Sequence, residues 1–83
     1  MLKITTPNEY DDVVNEIKTT LREEIEFGFK DAEFDDGKIE MVTNYYPDNI
    51  RRYVQDVYEN AGWLRVSVNN FDNGKRLRWE FHF

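Results

Sequence analysis

The side chains with chemical capacity in this chain are carboxylates, arginines and aromatic rings. Cysteine is absent and histidine occurs once, at His82, which leaves no thiolate nucleophile and no His/Cys spacing for a metal. No glycine-rich phosphate loop is present. His82 falls on a predicted strand beside Arg65, where a general base would lack both an orienting partner and a cleft. These absences predict a protein that is not an enzyme, with no catalytic residue, no metal and no cofactor.

The acidic run Asp31, Glu33, Asp35, Asp36 places oxygens at near-alternate positions, as a calcium loop does. The match fails on register. With Gly37 as the required sixth-position glycine, Ala32 falls first and Thr43 twelfth, so the first ligand and the bidentate glutamate are both missing. A solvated hairpin tip is the better reading. Paired carboxylates for glycoside hydrolysis need only the right separation in space, but 83 residues leave little material for a substrate cleft.

Two binding surfaces remain. The first is the acid-rich N-terminal half: Asp11, Asp12, Glu16, Glu23, Glu24, Asp31, Glu33, Asp35 and Asp36. Such a field suits a basic groove on another protein, including one that normally holds DNA. The second is a basic and aromatic set, Trp63, Arg65, Phe71, Lys75, Arg76 and Arg78, that combines rings for base stacking with cations for phosphate. Solvated acids and rings covered by the rest of the fold are the competing readings of the two sets.

The function expected is therefore a small non-enzymatic interaction protein that binds and modulates or inhibits a protein partner through its acidic surface. The alternative is a nucleic-acid-binding domain using the basic and aromatic face, and a further alternative is a self-associating structural subunit, such as a homodimer. In size, acidity, lack of cysteine and aromatic content the chain is similar to many small phage-encoded or mobile-element proteins that act by binding a host factor.

Composition bounds the frame that must position these residues. At this length one domain with one core is expected, burying about 60–65% of its unfolded surface. Net charge is −6, with twelve acids against five bases in residues 1–40 and five against six in residues 41–83. That balance argues against broad affinity for DNA backbone or anionic lipid. No apolar run approaches the roughly 18–20 residues of a membrane span, and no leader pattern opens the chain, so a cytoplasmic location and no membrane partner are expected.

The strongest pattern is Trp63–Phe83. Asn73-Gly74 suits a two-residue turn with both central residues at positive φ. It pairs Phe71 with Arg76, Asn69 with Arg78, Ser67 with Glu80 and Arg65 with His82. One face then holds Leu64, Val66, Val68, Leu77, Trp79, Phe81 and Phe83, and the other carries Trp63 and the cations. A one-residue slip would mix the two sets.

Upstream, Leu2 and Ile4 suggest a short leading strand. Thr6-Pro7 with Glu9 marks a helix start. Tyr10, Val13, Val14, Ile17 and Leu21 then form its apolar face, to about Glu24. From Ile25 the alternation of Phe27 and Phe29 with polar residues predicts a strand, turned at Asp36-Gly37 into a return strand Ile39–Thr43. That turn places Phe27 and Phe29 on the wrong face, which requires a bulge near Lys30-Asp31 or a helix reaching into the Phe27 region. Ile50, Tyr53, Val54, Val57 and Tyr58 give a second helix stopped at Asn60-Ala61-Gly62, with Arg52 and Asp56 spaced for an ion pair.

The expected fold is thus α+β, a single domain over residues 1–83, with two amphipathic helices on one face of a mostly antiparallel four-stranded sheet in the order α-β-β-α-β-β. Phe34-Asp35-Asp36-Gly37-Lys38 recurs 37 residues later as Phe71-Asp72-Asn73-Gly74-Lys75. The matched pairs Val13/Ile50, Ile17/Val54, Phe27/Leu64 and Phe29/Val66 share that offset, suggesting duplication of an αββ unit.

Overall fold

Thr6 begins the first helix as its chemistry requires. In the computed structural model, which describes residues 4–32, 34–35 and 37–83, its hydroxyl accepts from Glu9 N–H at 3.3 Å, with Pro7 in the first turn. The helix α1 spans Pro7–Asp31, two turns beyond the expected end at Glu24. Leu21, Ile25 and Phe29 explain the extension: they recur every four residues on the face that packs into the core. The alternation at Phe27 and Phe29 was the weaker of two superimposed periods. Of the two remedies that the misplaced phenylalanines required, the helix is the one adopted.

What remains of the expected strand is a two-residue β1, Phe34–Asp35, paired with the start of β2, Lys38–Asn44. Gly37 turns the chain between them at φ 79°. The second helix, α2, covers Asp48–Asn60, and the strands β3, Arg65–Phe71, and β4, Arg76–His82, follow it. The sheet is antiparallel in the order β1-β2-β4-β3. The fold is α+β with two helices, as expected. The sheet, however, has three full-length strands rather than four, so the full-length elements run α-β-α-β-β and β1 is only a short flap on the β2 edge.

The final hairpin has the register that its turn specifies. Phe71 lies opposite Arg76, Asn69 opposite Arg78, Val68 opposite Trp79 and Val66 opposite Phe81. Lys75 N–H donates to Asp72 O at 3.1 Å, and Asn73 and Gly74 between them have φ of 55° and 81°. β4 is the central strand, pairing on its other side with β2 so that Met41 lies opposite Trp79.

Both helices cover the same face. Leu21 and Ile25 of α1 and Ile50, Val54 and Tyr58 of α2 enclose Met41, Val66, Leu77, Trp79 and Phe81. Gly28 permits the close approach, since a Cβ there would stand 2.7 Å from Met41 Sδ. Glu24 then clasps the following loop, accepting from Asn44 Nδ2 at 2.8 Å and from Tyr46 Oη at 2.7 Å. Tyr58 Oη donates to Glu26 at 2.9 Å. Both phenols are pushed well above their ordinary range, first by burial and then by these carboxylates.

Several expectations fail at the edges of this core. Tyr10 and Val13 are 57% and 45% exposed, because α1 overhangs the core at its start and packs on it only from Val14 onward. Leu64 and Phe83 are exposed too, since the paired strands stop one residue short of each. Ile4 is exposed and outside any strand, while Leu2 lies outside the described residues. Arg52 pairs with Asp48 at 3.0 Å rather than with Asp56, in the first turn of α2 where the helix dipole also favours the acid. The duplication breaks at two of its matched pairs, because Phe27 and Phe29 are helical whereas Leu64 precedes β3 and Val66 lies within it.

Candidate functional site

The expected acidic set divides into two stretches of α1. Asp11, Asp12 and Glu16 sit exposed on its overhanging half. Two turns later, Glu23 and Asp31 flank Phe27, which is 67% exposed. Asp12, Glu16, Glu23, Phe27 and Asp31 fall on one flank of the helix by their spacing. Glu24 is exempt from any docking role, since both of its oxygens hold Asn44 and Tyr46. Glu33 and Asp36 lie outside the described residues, as does the side chain of Asp35.

The lower part of that flank faces β2. A groove of about 600 Å³ runs between them, lined on the helix by Glu23, Phe27, Gly28 and Asp31 and on the strand by Glu40, Met41 and Val42. The two elements run antiparallel here, because Gly28 lies over Met41 while Glu24 reaches Asn44. Sequence reasoning found Glu23 and Asp31 but missed Phe27, Glu40 and Val42. Phe27 had been assigned to a strand, and only the Leu21–Ile25–Phe29 period could have shown that it points away from the core.

The basic and aromatic set is not a free platform. Trp63, expected on the outer face, turns inward: its ring stacks on Phe29 at 5.3 Å and 6° and meets Phe81 edge-on at 5.6 Å. The cause is Gly62, whose φ of 120° redirects the chain before the strand alternation begins at Arg65. Phe71, Lys75, Arg76, Arg78 and Arg65 do lie on or beside the open face of the sheet, and all are exposed.

Carboxylates neutralise much of that face. Arg78 Nη2 donates to Glu40 Oε2 at 2.9 Å, and Lys38 Nζ lies 3.0 Å from Glu40 and 3.4 Å from Glu80. Arg76 leans toward Asp72 at 3.6 Å. The hydrogen bonds from Arg78 and then Lys38 hold the Glu40 carboxyl below its ordinary range, and the same carboxylates raise Lys38 and Arg78. His82, expected to lack a partner, has Glu80 Oε2 at 3.6 Å and Arg65 Nη2 at 3.3 Å from its Nε2. It stands on the sheet surface and does not line the groove between α1 and β2.

No family model, curated protein or solved structure matches this chain. Among the described residues, no group of three or more His, Asp or Glu side chains could hold a metal ion. No helix formed by them is long and apolar enough to cross a membrane. Among the described residues, the groove between α1 and β2 joins an exposed ring, acids without an ion-pair partner and a strand surface.

Proposed function

We propose that this chain is a small non-enzymatic interaction protein that binds and modulates a protein partner through the acidic flank of α1, at the groove against β2. The observation that carries the reading is the convergence there of Glu23 and Asp31 with exposed Phe27, neither acid having an ion-pair partner among the described residues. An apolar anchor ringed by one sign of charge gives a partner both buried area and orientation. The nucleic-acid alternative is weaker because Trp63 is occupied by Phe29 and Phe81 and Arg78 is engaged by Glu40.

Affinity capture from a cell extract, comparing the native chain with a Phe27→Ser, Glu23→Gln, Asp31→Asn variant of unchanged circular dichroism, tests the proposal. Loss of the captured partner is expected, and a partner retained undiminished would sink it. Titration with single-stranded oligonucleotides provides the counter-test. Binding whose salt slope, about 0.7 per phosphate contacted, disappears with Arg76→Ala and Arg78→Ala would transfer the function to the sheet face.

A further inference from the structure

The apolar line of α1 continues past the core that it covers. Leu21 and Ile25 are buried, Val14, Ile17 and Phe29 pack against the same cluster, and Tyr10 and Val13 stand four residues before Val14 and Ile17 on that side of the helix. Neither belongs to the core cluster. The cause lies in α2. Lys18 Nζ stands 4.0 Å over the Tyr53 ring, and Glu26 accepts from Tyr58 Oη, so the two helices run in parallel. α2 begins at Asp48, five residues before Tyr53, and Val13 is five residues before Lys18. The covering helix thus runs out about level with Val13, and Tyr10 lies beyond it.

The sequence nevertheless specifies helix to that point. The cap, Thr6 with Pro7, stands about two turns before Val14, although Asn8, Asp11, Asp12 and Val13 are weak helix formers. A helix of such residues draws its stability from whatever covers its apolar side. Between Pro7 and Ile17 the helix also holds Glu9, Asp11, Asp12 and Glu16 and no base. By their angular positions Glu9 and Glu16 border the Tyr10–Val13 ridge on one side and Asp11 borders it on the other.

We propose that the overhanging start of α1 is a second docking surface, which receives an amphipathic helix of a protein partner. The apolar residues of that helix cover Tyr10 and Val13, and its flanks carry Lys or Arg. A helix suits the site because a ridge of residues at i, i+3 and i+4 packs into the groove between side chains of another helix. Charge decides the occupant: a second copy of this chain would set Asp11, Asp12 and Glu16 against their own equivalents with no base nearby to offset them, whereas a cationic helix is attracted. The surface is separate from the Phe27 groove and does not rest on the reading given to it. Tyr10 precedes Phe27 by 17 residues, about 25 Å along the axis.

Two peptides are titrated into the isotope-labelled full chain at low salt: two repeats of Lys-Leu-Ala-Lys-Leu-Leu-Lys, and a peptide of the same composition with its leucines scattered around the helix. The amphipathic peptide should shift the amides of Tyr10 and Val13 and bind at least tenfold more tightly than the scattered one, tenfold in affinity being about 1.4 kcal/mol. Tyr10→Ser with Val13→Ser, at unchanged urea midpoint, should weaken it at least tenfold, and Phe27→Ser should leave it within about threefold. Equal binding of both peptides, indifferent to Tyr10→Ser with Val13→Ser, overturns the proposal in favour of attraction by acids alone. Binding lost with Phe27→Ser but kept with Tyr10→Ser and Val13→Ser overturns it and moves the peptide to the other groove. Absence of binding also overturns it, as does a dimeric solution mass in the peptide-free protein that Tyr10→Ser with Val13→Ser converts to a monomer.

Discussion

Trp79 Nε1–H donates to Thr43 Oγ1 at 2.9 Å inside the core, tying together two strands whose bonded residues are 36 positions apart in sequence. Trp79 is fully buried and Thr43 nearly so, so this hydroxyl satisfies a donor that water cannot reach. Thr43→Val keeps the shape and removes the acceptor. A loss of about 1–3 kcal/mol is expected from the stranded indole N–H, read as a lower urea midpoint at unchanged slope, whereas Thr43→Ser keeps the bond and costs less.

The phenols of Tyr46 and Tyr58 make stability fall in alkali. Both are raised in the folded state, so above about pH 10, where an unfolded tyrosine releases its proton, the native chain still holds protons that the unfolded chain has lost. The slope of stability against pH is then negative. Their contribution is complete below pH 10 and is lost progressively as pH rises through the folded-state range. Urea melts between pH 9 and pH 11.5 should show this decline, and a Tyr46→Phe, Tyr58→Phe variant should show a shallower one.

Gly28 and Met41 should prove coupled. A Cβ at position 28 meets Met41 Sδ at 2.7 Å. Gly28→Val adds a branched side chain at that contact, for an expected cost of about 1–3 kcal/mol. Gly28→Ala should be milder, since it gains helix propensity of about 1 kcal/mol while the thioether shifts aside. Combining Gly28→Val with Met41→Ala should give less than the sum of the single effects, which a double-mutant cycle on urea melts measures directly.

Side chains of α2 stopper the β3 edge, where Gln55 Nε2 donates to Val66 O at 2.8 Å and Val66 N–H donates to Glu59 Oε2 at 3.0 Å. Gln55→Ala with Glu59→Ala uncovers the N–H and C=O of Val66, which predicts an aggregation phenotype. Faster amide exchange at Val66 and a concentration-dependent rise in solution mass are expected. A variant that stays monomeric with Val66 still protected would show that the edge is guarded by something other than these two side chains.

Local patterns were read correctly where one period acted alone. Asn73-Gly74 set the last hairpin to the residue, and Thr6-Pro7 set the start of α1, because turn and cap chemistry depend only on neighbours. Residues 25–31 satisfied two periods at once, and the choice between them fell to tertiary contacts of Ile25 and Phe29 that no local window contains. The candidate groove suffered the same fate, since Phe27 could not be placed opposite Val42 until the helix was known to continue past it. Trp63 was misplaced by a single residue of strand alternation, extended past the point where Gly62 redirects the backbone.

The strand order carries a consequence for biogenesis. β2 and β3 have no contact ladder with each other and meet only through β4, residues 76–82. A nascent polypeptide that has emerged only as far as residue 70 holds both helices and two solitary ribbons with nothing between them. Collapse into the native arrangement must wait for β4 to slide into the gap, leaving Met41 and Val66 without the strand that each pairs with until then.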